Sequence, residues 1–443
     1  MAVETKQFLR LENARIATGE NSVVIDNGVI VISDDRIAWV GDAREIPKEF
    51  QFADQIVDLD RRTVIPGLVD THMHISFGEA QSEEELSIHT PMAYRAIRAS
   101  VDAQKVIRAG VTSACDPGGP IGIATAVRDA IDAGLVVGPR MAAAGRQITT
   151  QLGVGDTLPE PLGDLATSFG ALVRSKNEIV QEIRNEVKAG VDLIKLAGSG
   201  PGTEEFGAFD FEELCVAVAE AHRLSKPITI HARSRQSIAD AVNANFDWIM
   251  HASFMDDRTL DELVEKQIPI VPAMTLLVNS IECGQGVLPS KILDGIKREL
   301  DSAVTVLSKA HRAGAILIAG SESGFAMTPY GEWHTREMEL FVELLGFSNF
   351  DALLSMTKMA SLAMPRFGNL IGTLSQGKYA DLLVVDGKPD EDVKLLGRKK
   401  NLYAVMKSGK LIDISHAELA RETYLFERTR LYTNGKFRRN DSQ

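Results

Sequence analysis

A His-x-His pair near residue 70 could bind a metal ion. The segment 70–74 reads DTHMH and follows an apolar segment, VIPGLV, at 64–69. On a strand, residues two apart point to the same side, so the imidazoles of His72 and His74 can reach one ion, and zinc and similar ions favour imidazole. A bare His-x-His pair is as often two ordinary histidines. The position after an apolar run, with Asp70 two residues earlier, favours a ligand pair.

Lys195 and two further histidines lie in or at the end of short apolar segments. Lys195 is inside DLIKLAG at 192–198, and burial of an ammonium group is unfavourable unless the group is paired or modified. Reaction with CO₂ would convert it into an anionic carbamate that could bridge two metal ions; a lysine that reaches solvent from a strand end is the alternative. His231 and His251 are the last residues of PITIH and DWIMH. In a barrel of parallel strands, such strand ends form the face where catalytic groups gather.

A carboxylate follows the last apolar segment of the middle of the chain. Glu322 lies in AGSESG at 319–324, where it could ligate a metal ion and act as the proton shuttle for a metal-bound water. The alternative is a helix start, since Ser followed by an acidic residue is a common N-terminal signal. His334, which lies just after this segment, and Arg233, two residues after His231, are the candidate substrate-binding residues.

The elements that must position these residues alternate between short apolar strands and amphipathic helices. Eight strands are predicted, near Leu68–His74, Val111–Cys115, Pro139–Ala143, Val191–Leu196, Pro227–His231, Trp248–His251, Ile268–Val271 and Ile316–Ala319. Helical periodicity is found in Ile121–Ala133, Glu212–Arg223 and Ile292–Arg312. Eight strand–helix units fit a (β/α)₈ barrel, and a doubly wound parallel sheet also fits. Residues 153–170 form the longest irregular segment, a candidate active-site loop.

Both ends of the chain read as β-structure. The DNG segment at 26–28 separates two apolar runs, and Asn-Gly is a strong hairpin signal, so a hairpin is predicted there. Strands are also predicted over 37–40, 56–59, 380–385 and 402–406, with a turn at the SGK segment 408–410. We therefore expect a β-sandwich domain built from residues 1–66 and 369–443, around a barrel domain of residues 67–368.

Composition argues against several classes of protein. The 443 residues are 44% hydrophobic and 25% charged, as in globular proteins, and the net charge of −13 argues against binding to nucleic acid or to an anionic membrane. No run approaches the about 18 apolar residues of a membrane span. The N-terminal segment lacks a signal-peptide layout, and three widely spaced cysteines fit a reducing compartment, so a cytoplasmic location is expected.

The motifs together resemble those of the amidohydrolase superfamily. VIPGLVDTHMH at 64–74 is similar to its first-strand signature, and Lys195, His231 and His251 fall where the superfamily places its bridging lysine and its two later histidines. GTLSQGKYADLLVVD at 372–386 is similar to its return into the β-sandwich. The resemblance runs from about residue 8 to residue 413. It is closest to the imidazolonepropionase-related branch, which includes prolidase-like dipeptidases, ochratoxinase-type amidases and hydrolases of phenylurea and thiocarbamate herbicides.

The resemblance implies an α/β fold, a (β/α)₈ TIM barrel with a small β-sandwich domain, and a binuclear metal centre. His72 and His74 would hold the buried ion and His231 and His251 the more exposed one, while carbamylated Lys195 and a hydroxide would bridge the two. Zinc is the expected metal, with cobalt, manganese or iron as alternatives. Glu322 would pass the proton of the hydroxide to the leaving nitrogen. A homo-oligomer that acts on a small molecule is expected.

Three departures from the family pattern narrow the function. Glu322 replaces the usual Asp, which leaves the geometry and number of the metal ions open. The segment 145–153 lacks the substrate-contacting histidine of the dipeptidase-like members, and no Glu follows His231 in the His-x-x-Glu pattern of deaminases. The expected function is hydrolysis of a C–N bond in a small, aryl or apolar amide, urea or carbamate through a metal-bridging hydroxide.

Two other functions stay open. One is that of a prolidase-like dipeptidase or N-acyl amino acid hydrolase. The other is a non-catalytic scaffold with an amidohydrolase fold, which predicts eroded metal ligands. The five ligands apart from Glu322 are all present, namely His72, His74, Lys195, His231 and His251.

Overall fold

The computed structural model describes residues 7–20, 22–120, 122–200 and 206–415, and within them the chain forms three β-sheets with α-helices between strands. In chain order the strands are Phe8–Ala17 (β1), Val24–Ser33 (β2), Arg36–Asp42 (β3), Gln55–Asp58 (β4), Thr63–Pro66 (β5), Leu68–Asp70 (β6), Val111–Asp116 (β7), Arg140–Ala143 (β8), Gln147–Thr149 (β9), Gly170–Leu172 (β10), Ile194–Ala197 (β11), Ile228–Ala232 (β12), Trp248–His251 (β13), Ile270–Val271 (β14), Leu382–Val385 (β15), Leu402–Lys407 (β16) and Lys410–Ile412 (β17). The α-helices are Met92–Arg108 (α1), Ile123–Asp132 (α2), Lys176–Lys188 (α3), Phe211–Arg223 (α4), Arg235–Ala244 (α5), Asp257–Lys266 (α6), Thr275–Cys283 (α7), Ser290–Arg312 (α8), Arg336–Leu340 (α9) and Asn349–Ser355 (α10). Within these ranges, no helix is both long and apolar enough to cross a bilayer.

One sheet joins the two ends of the chain. Its strands lie in the order β17-β16-β15-β5-β1-β2-β3, with β4 paired to β1. At the junction, β5 and β15 pair antiparallel, with Ile65 opposite Leu383 and Val64 opposite Val384. All four side chains are buried, so apolar burial holds the two ends together. Strands from both ends therefore share one sheet, and the predicted domain boundaries at 66/67 and 368/369 stay predictions.

The hairpin predicted at Asn27-Gly28 is wrong, because both residues lie inside the continuous strand β2. A tight Asn-Gly turn requires positive φ at both residues. Gly28 instead pairs with Ala14 on one side and with Asp42 on the other. The absence of a side chain serves packing, since a Cβ at Gly28 would lie 2.3 Å from Cδ1 of Ile16.

The reversal between β2 and β3 occurs later, at Asp34, which has a φ of 55°. The turn predicted at 408–410 is confirmed. Lys407 pairs with Lys410 across it, and Ser408 and Gly409 have φ of 53° and 72°. These two positive angles are those of the tight turn that the twist of a hairpin favours.

The middle of the chain forms two parallel sheets, with strand orders β6-β7-β8 and β10-β9-β11-β12-β13-β14. Hydrogen bonds also join segments next to these strands. The N–H of Asp192, just before β11, donates to the carbonyl of Ala143 in β8, and the N–H of Ile318 donates to the carbonyl of Ile270 in β14. Because the strands are parallel, the residues at their carboxyl ends, including His251 of β13, meet at one edge.

The strand predicted at Ile316–Ala319 is much shorter in the structure. It consists of one parallel bridge between Leu317 and Ile270. The reason is that the N–H of Ala319 donates to the carbonyl of Ser355, outside any strand. The segment still runs beside β14, and it leads directly into the residues around Glu322.

The first predicted strand also ends early, at Asp70, so His72 and His74 follow β6 and do not lie in it. Asp70 Oδ1 accepts a hydrogen bond of 3.1 Å from the N–H of His72, and this side-chain turn diverts the chain from the strand. Strand alternation therefore does not align the two histidines as predicted. Their rings are nevertheless 5.1 Å apart between centroids.

Local sequence signals set the starts of several helices. The side chain before the helix accepts a hydrogen bond from a backbone N–H of the first turn in α3, α4, α5, α6 and α10. These residues are Ser175, Asp210, Ser234, Asp256 and Ser348. Each such cap is worth about 1 kcal/mol, because it satisfies a donor that the helix itself leaves unpaired.

Candidate metal centre

Four histidine rings converge where the parallel strands end. The ring centroids are 5.1 Å apart for His72 and His74, 5.4 Å for His72 and His251, and 4.4 Å for His231 and His251. All four residues are buried. The structure thus brings together the four histidines that the sequence singled out as metal ligands.

Polar atoms in this cluster lack partners within the described chain. His72 Nδ1, His231 Nε2, His251 Nε2 and Glu322 Oε2 are buried without a hydrogen bond. Burial lowers the pKa of His74 to about 3 and that of the other three imidazoles well below their ordinary value. The rings are therefore neutral, which is the form that binds metal ions. Buried polar atoms without partners are unfavourable unless a ligand takes them, and this donor set fits zinc or a similar divalent ion.

His74 is oriented by the segment that follows β7. Its Nδ1 lies 2.6 Å from the carbonyl oxygen of Gly118, so Nδ1 donates and Nε2 keeps its lone pair for a metal ion. Asp116, the last residue of β7, accepts hydrogen bonds of 2.9 Å from the N–H groups of Ile75 and Gly118. Sequence reasoning missed Asp116, although a polar residue that ends an apolar strand is the same signal that identified His231.

Glu322 joins His72 and His74 in a group whose possible ligand atoms all lie within 4.8 Å of one another. The residue has a φ of 53°, a strained left-handed conformation of the kind that clusters at functional sites. Burial raises the pKa of its carboxyl to about 7, although Arg233 and Lys195 act in the opposite direction. Glu322 can therefore take up and release a proton near neutral pH.

Lys195 lies in β11 with only 1% of its surface exposed, which excludes the alternative of a lysine that reaches solvent. Its Nζ lies against the sulfur of Met250 on β13, two strands away in the same sheet. Burial lowers the pKa of the amine to about 7, with Glu322 acting against this shift. A large fraction of the amine is therefore unprotonated near neutral pH, and the unprotonated amine is the nucleophilic form.

Asp70 ties the His-x-His segment to the segment of Glu322. Its carboxylate accepts hydrogen bonds from the N–H of His72 at 3.1 Å and from the N–H and Oγ of Ser321 at 3.0 and 2.5 Å. His334 Nδ1 lies 2.7 Å from Asp70 Oδ2, and His334 Nε2 accepts a 3.0 Å hydrogen bond from the N–H of Gly331. Both ring nitrogens of His334 thus have partners within the protein, and Nδ1 holds Asp70. A contact between His334 and substrate stays a prediction.

Arg233 lies beside the centre, two residues after His231, and is buried. Its Nε is 3.0 Å from Oε1 of Glu299, a buried residue of helix α8. A contact of Arg233 with substrate stays a prediction. Sequence reasoning missed Glu299, because its only signal is a charged residue on the otherwise small and apolar face of a helix.

Aromatic side chains border the centre on the side of His74. Phe77 stacks on the His74 ring with centroids 4.2 Å apart. Phe169 and Phe325 lie 5.3 and 5.1 Å from Phe77, and Phe325 is 6.1 Å from His74. Phe169 belongs to the predicted active-site loop 153–170, so the end of this loop packs into the aromatic cluster beside the centre.

Comparison with known proteins assigns the family. The model of the amidohydrolase family matches residues 63–412, from β5 to β17, and includes all six candidate metal ligands. The chain belongs to the amidohydrolase family. This confirms the assignment made from the sequence motifs.

Related family members cover most of the chain. Ochratoxinase of Aspergillus niger is 26% identical over 406 residues, which are 87% of this chain and 82% of that protein. Imidazolonepropionase of Maricaulis maris is 24% identical over 434 residues, which are 89% and 97% of the two chains. These relatives lie in the predicted imidazolonepropionase-related branch of the family.

Solved structures of family members share the fold. Ochratoxinase superposes with a TM-score of 0.81 at 24% identity, covering 92% of this chain and 96% of that one. A Xaa-Pro dipeptidase gives 0.80 at 25% identity, with 92% and 100% covered. Molinate hydrolase gives 0.77 at 20% identity, with 98% and 99% covered. Together with the family match, these likenesses make the chain an amidohydrolase-fold hydrolase that acts on carbon–nitrogen bonds.

Proposed function

We propose that this family member hydrolyses a C–N bond in a small, aryl or apolar amide, urea or carbamate at a centre of two divalent metal ions, with zinc as the expected metal. One observation carries the proposal. Four buried histidines, three of which have an unpartnered ring nitrogen, converge beside a carboxyl, Glu322, and an amine, Lys195, both with a pKa of about 7. Groups with such perturbed pKa values cluster at catalytic sites.

The ligands would divide between the two ions. His72, His74 and Glu322 would hold one ion, and His231 and His251 the other. The unprotonated Nζ of Lys195 would attack CO₂, form an N–C bond and release a proton, leaving an anionic carbamate between the two ligand groups. When bound, the ions would lower the pKa of a water molecule and polarise the substrate carbonyl.

Proton transfer is the task of Glu322. Its carboxylate takes a proton from the attacking water and delivers it to the leaving nitrogen, a role suited to a group with a pKa of about 7. Asp70, held by His334, keeps the segment of Glu322 next to the His-x-His segment. The cluster around Phe77 supplies an apolar wall, which favours an aryl or apolar substrate.

We also propose that the two parallel sheets belong to one closed (β/α)₈ barrel of residues 67–368, and that the eight-stranded sheet is part of a β-sandwich domain of residues 1–66 and 369–443. Three links support closure of the barrel. The N–H of Asp192 donates to Ala143, that of Ile318 to Ile270, and that of Thr71 to Ala319. The first hydrogen bond joins β8 to the segment before β11, and so joins the two parallel sheets. The other two join β14 to the segment after β6, through residues 318 and 319.

A second candidate function is that of a dipeptidase, favoured by the structural likeness to a Xaa-Pro dipeptidase at a TM-score of 0.80. The structural likeness to ochratoxinase and to molinate hydrolase, together with the aromatic cluster around Phe77, favours the first candidate function, hydrolysis of an aryl or apolar amide, urea or carbamate. The two candidates differ in substrate and share the metal centre.

A substrate panel with controlled metal content tests the proposal. Purified protein of measured metal content is assayed with aryl amides, phenylureas, carbamates, N-acyl amino acids and Xaa-Pro dipeptides, then treated with a chelator and reloaded with zinc. We expect roughly one to two metal equivalents and turnover of an aryl substrate that the chelator abolishes and zinc restores. Turnover restricted to dipeptides would favour the second candidate. Full activity of metal-free protein would contradict both, and a metal-loaded protein inactive on the whole panel would favour the scaffold.

We further propose that the enzyme is a cytoplasmic homo-oligomer. Cys115, Cys215 and Cys283 are free thiols, as in proteins of reducing compartments. Light scattering on the purified protein measures the assembly, and a mass of 48.2 kDa, that of one chain, would contradict the oligomer.

A further inference from the structure

Glu299 is a buried carboxylate on a helix that packs against the metal centre. Helix α8 buries one stripe of residues. The stripe includes Gly295, Glu299, Ala303 and Leu307, which are spaced four residues apart. Glu299 is only 1% exposed. A charged residue within a stripe of small and apolar residues is unfavourable unless it is paired.

Glu299 contacts the segments that follow two of the histidines in the chain. Its Oε1 lies 3.0 Å from Nε of Arg233 and accepts a 2.9 Å hydrogen bond from Oγ of Ser253. Arg233 follows His231 by two residues, and Ser253 follows His251 by two residues. One carboxylate oxygen therefore connects the chain segments that carry both members of the second histidine pair.

The segment after β13 needs such an anchor because its backbone is strained. His251 and Ala252 have φ of 75° and 58°, two successive left-handed conformations in residues that carry a Cβ. Such angles persist only where the surroundings hold them. Helix α8 holds Ser253 at two atoms, since Glu299 accepts from its Oγ and Ser302 Oγ donates to its carbonyl at 2.8 Å.

Glu299 also compensates a positive charge beside the histidines. Arg233 is buried and follows His231 by two residues, so the field of its guanidinium acts on this half of the centre. The same field opposes the binding of a divalent cation there. The carboxylate of Glu299, 3.0 Å from that guanidinium, carries the opposite charge and offsets this field.

We propose that Glu299 is the positioning residue of the His231–His251 half of the metal centre. It anchors the segments that follow the two histidines and neutralises Arg233 next to them. The inference rests on the proposed function, because it assumes a metal ion at these histidines.

Zinc titration of the chelator-treated, full-length protein tests this role. Calorimetry and elemental analysis, in bicarbonate buffer, follow the first and second zinc equivalents in the wild type, Glu299→Gln and Arg233→Met/Glu299→Gln. Glu220→Gln is the matched control, since Glu220 is also a buried helical glutamate, paired with Arg184 and Arg223. The amide keeps an acceptor for Ser253, so Glu299→Gln isolates the loss of charge.

We expect two zinc equivalents in the wild type and in Glu220→Gln. Glu299→Gln should retain the first zinc and bind the second at least tenfold more weakly. Arg233→Met/Glu299→Gln should recover most of this loss, because the positive charge that Glu299 offsets is removed as well. Arg233→Met/Glu299→Ala, which also removes the acceptor for Ser253, should bind the second zinc more weakly than that double variant.

The failures are distinguishable. A wild type that takes up no zinc would overturn the proposed function and this inference with it. A wild type that binds only one zinc equivalent would overturn the inference alone. Normal zinc uptake by the wild type with an unchanged second site in Glu299→Gln would overturn the inference alone. The inference would also be overturned if Arg233→Met/Glu299→Gln bound the second zinc no more tightly than Glu299→Gln. If Glu299→Gln does not fold, the two double variants decide. Binding of the second zinc by Arg233→Met/Glu299→Gln within tenfold of the wild type, with weaker binding by Arg233→Met/Glu299→Ala, supports the role. Any other result overturns it.

Discussion

Glu322 takes the position where the family pattern has an aspartate, and its backbone accounts for how it reaches the centre. Its N–H donates to the carbonyl of His72 at 2.6 Å, and its own carbonyl accepts from Thr328 Oγ at 2.8 Å. The preceding Gly320 allows close approach, since a Cβ there would lie 2.7 Å from Cβ of His72. The N–H of Glu322 and the close approach of Gly320 thus hold this segment against the His-x-His segment.

The proton-shuttle role predicts a large effect for a small change at this residue. Glu322→Gln keeps the size of the side chain but cannot carry the proton, so we expect an intact fold and a kcat at least ~10²-fold lower. Glu322→Asp, with the residue of the family pattern, is the matched control and should retain more activity. Turnover numbers, circular dichroism and metal content check this. A near-wild-type kcat in Glu322→Gln would move the role to another residue.

Helix α1 carries a buried carboxyl group, that of Asp102, whose ionisation at neutral pH destabilises the folded protein. Asp102 is buried, its Oδ1 lies 2.7 Å from Lys105 Nζ, and its Oδ2 has no hydrogen-bond partner within the described chain. Burial raises the pKa of the carboxyl from 3.8 to about 6, with Lys105 acting in the opposite direction. The folded chain therefore holds this proton more tightly than the unfolded chain. The resulting stability is fully present below pH 3.8 and is lost as the pH rises through about 6.

The stability of the Asp102→Asn variant should accordingly depend less on pH than that of the wild type. We expect the variant to gain up to about 3 kcal/mol relative to the wild type above pH 6, with the gain vanishing towards pH 4, because the amide has no proton to lose. Lys105 keeps Glu79 as a partner at 3.2 Å. Melting temperatures between pH 4 and 8 measure the effect, with the exposed Asp129→Asn as control. A gain independent of pH would contradict the prediction.

At the scale of the whole molecule, a buried ion pair joins the sheet of the chain ends to the parallel sheets. Arg140 in β8 donates to both oxygens of Asp381, at 2.9 and 3.2 Å, and the N–H of Ser408 donates to the same carboxylate at 2.7 Å. The guanidinium carbon of Arg140 lies 3.4 Å from the centroid of the Tyr379 ring. Asp381 directly precedes β15, so the pair fixes the C-terminal strands against the middle of the chain.

Removal of one partner should destabilise the fold more than removal of both. Asp381→Ala leaves Arg140 buried without its counter-ion, and we expect a loss of about 3–5 kcal/mol. Arg140→Met/Asp381→Leu should lose less, because no unpaired charge is buried. Urea unfolding midpoints measure the differences, and Glu391→Ala, in the exposed pair with Lys388, is the control with a loss of about 0–1 kcal/mol. Equal losses in Asp381→Ala and the double variant would contradict this account.

The sequence by itself determined the family and the donor types of the candidate metal centre. Metal ions are selected by donor type, and imidazoles at 72, 74, 231 and 251 with a lysine at 195 are visible as residue types after apolar runs. Helix starts were also predictable, since a cap such as Asp210 with Glu213 acts within four residues. Short-range signals of this kind need no knowledge of the rest of the chain.

Only the tertiary structure decided which partners orient these donors. The Asp70–His334 contact joins residues 264 positions apart, and the Ser253–Glu299 hydrogen bond joins residues 46 positions apart, so neither has a periodic or local signal. The prediction of a hairpin at Asn27-Gly28 was wrong for the same reason. The pairing of Gly28 with Ala14 and Asp42 outweighs the local preference of the Asn-Gly pair for a turn. Residue type sets which chemistry is available, and long-range packing sets the geometry in which it acts, because contact energies between distant segments exceed the small preferences of a few neighbouring residues.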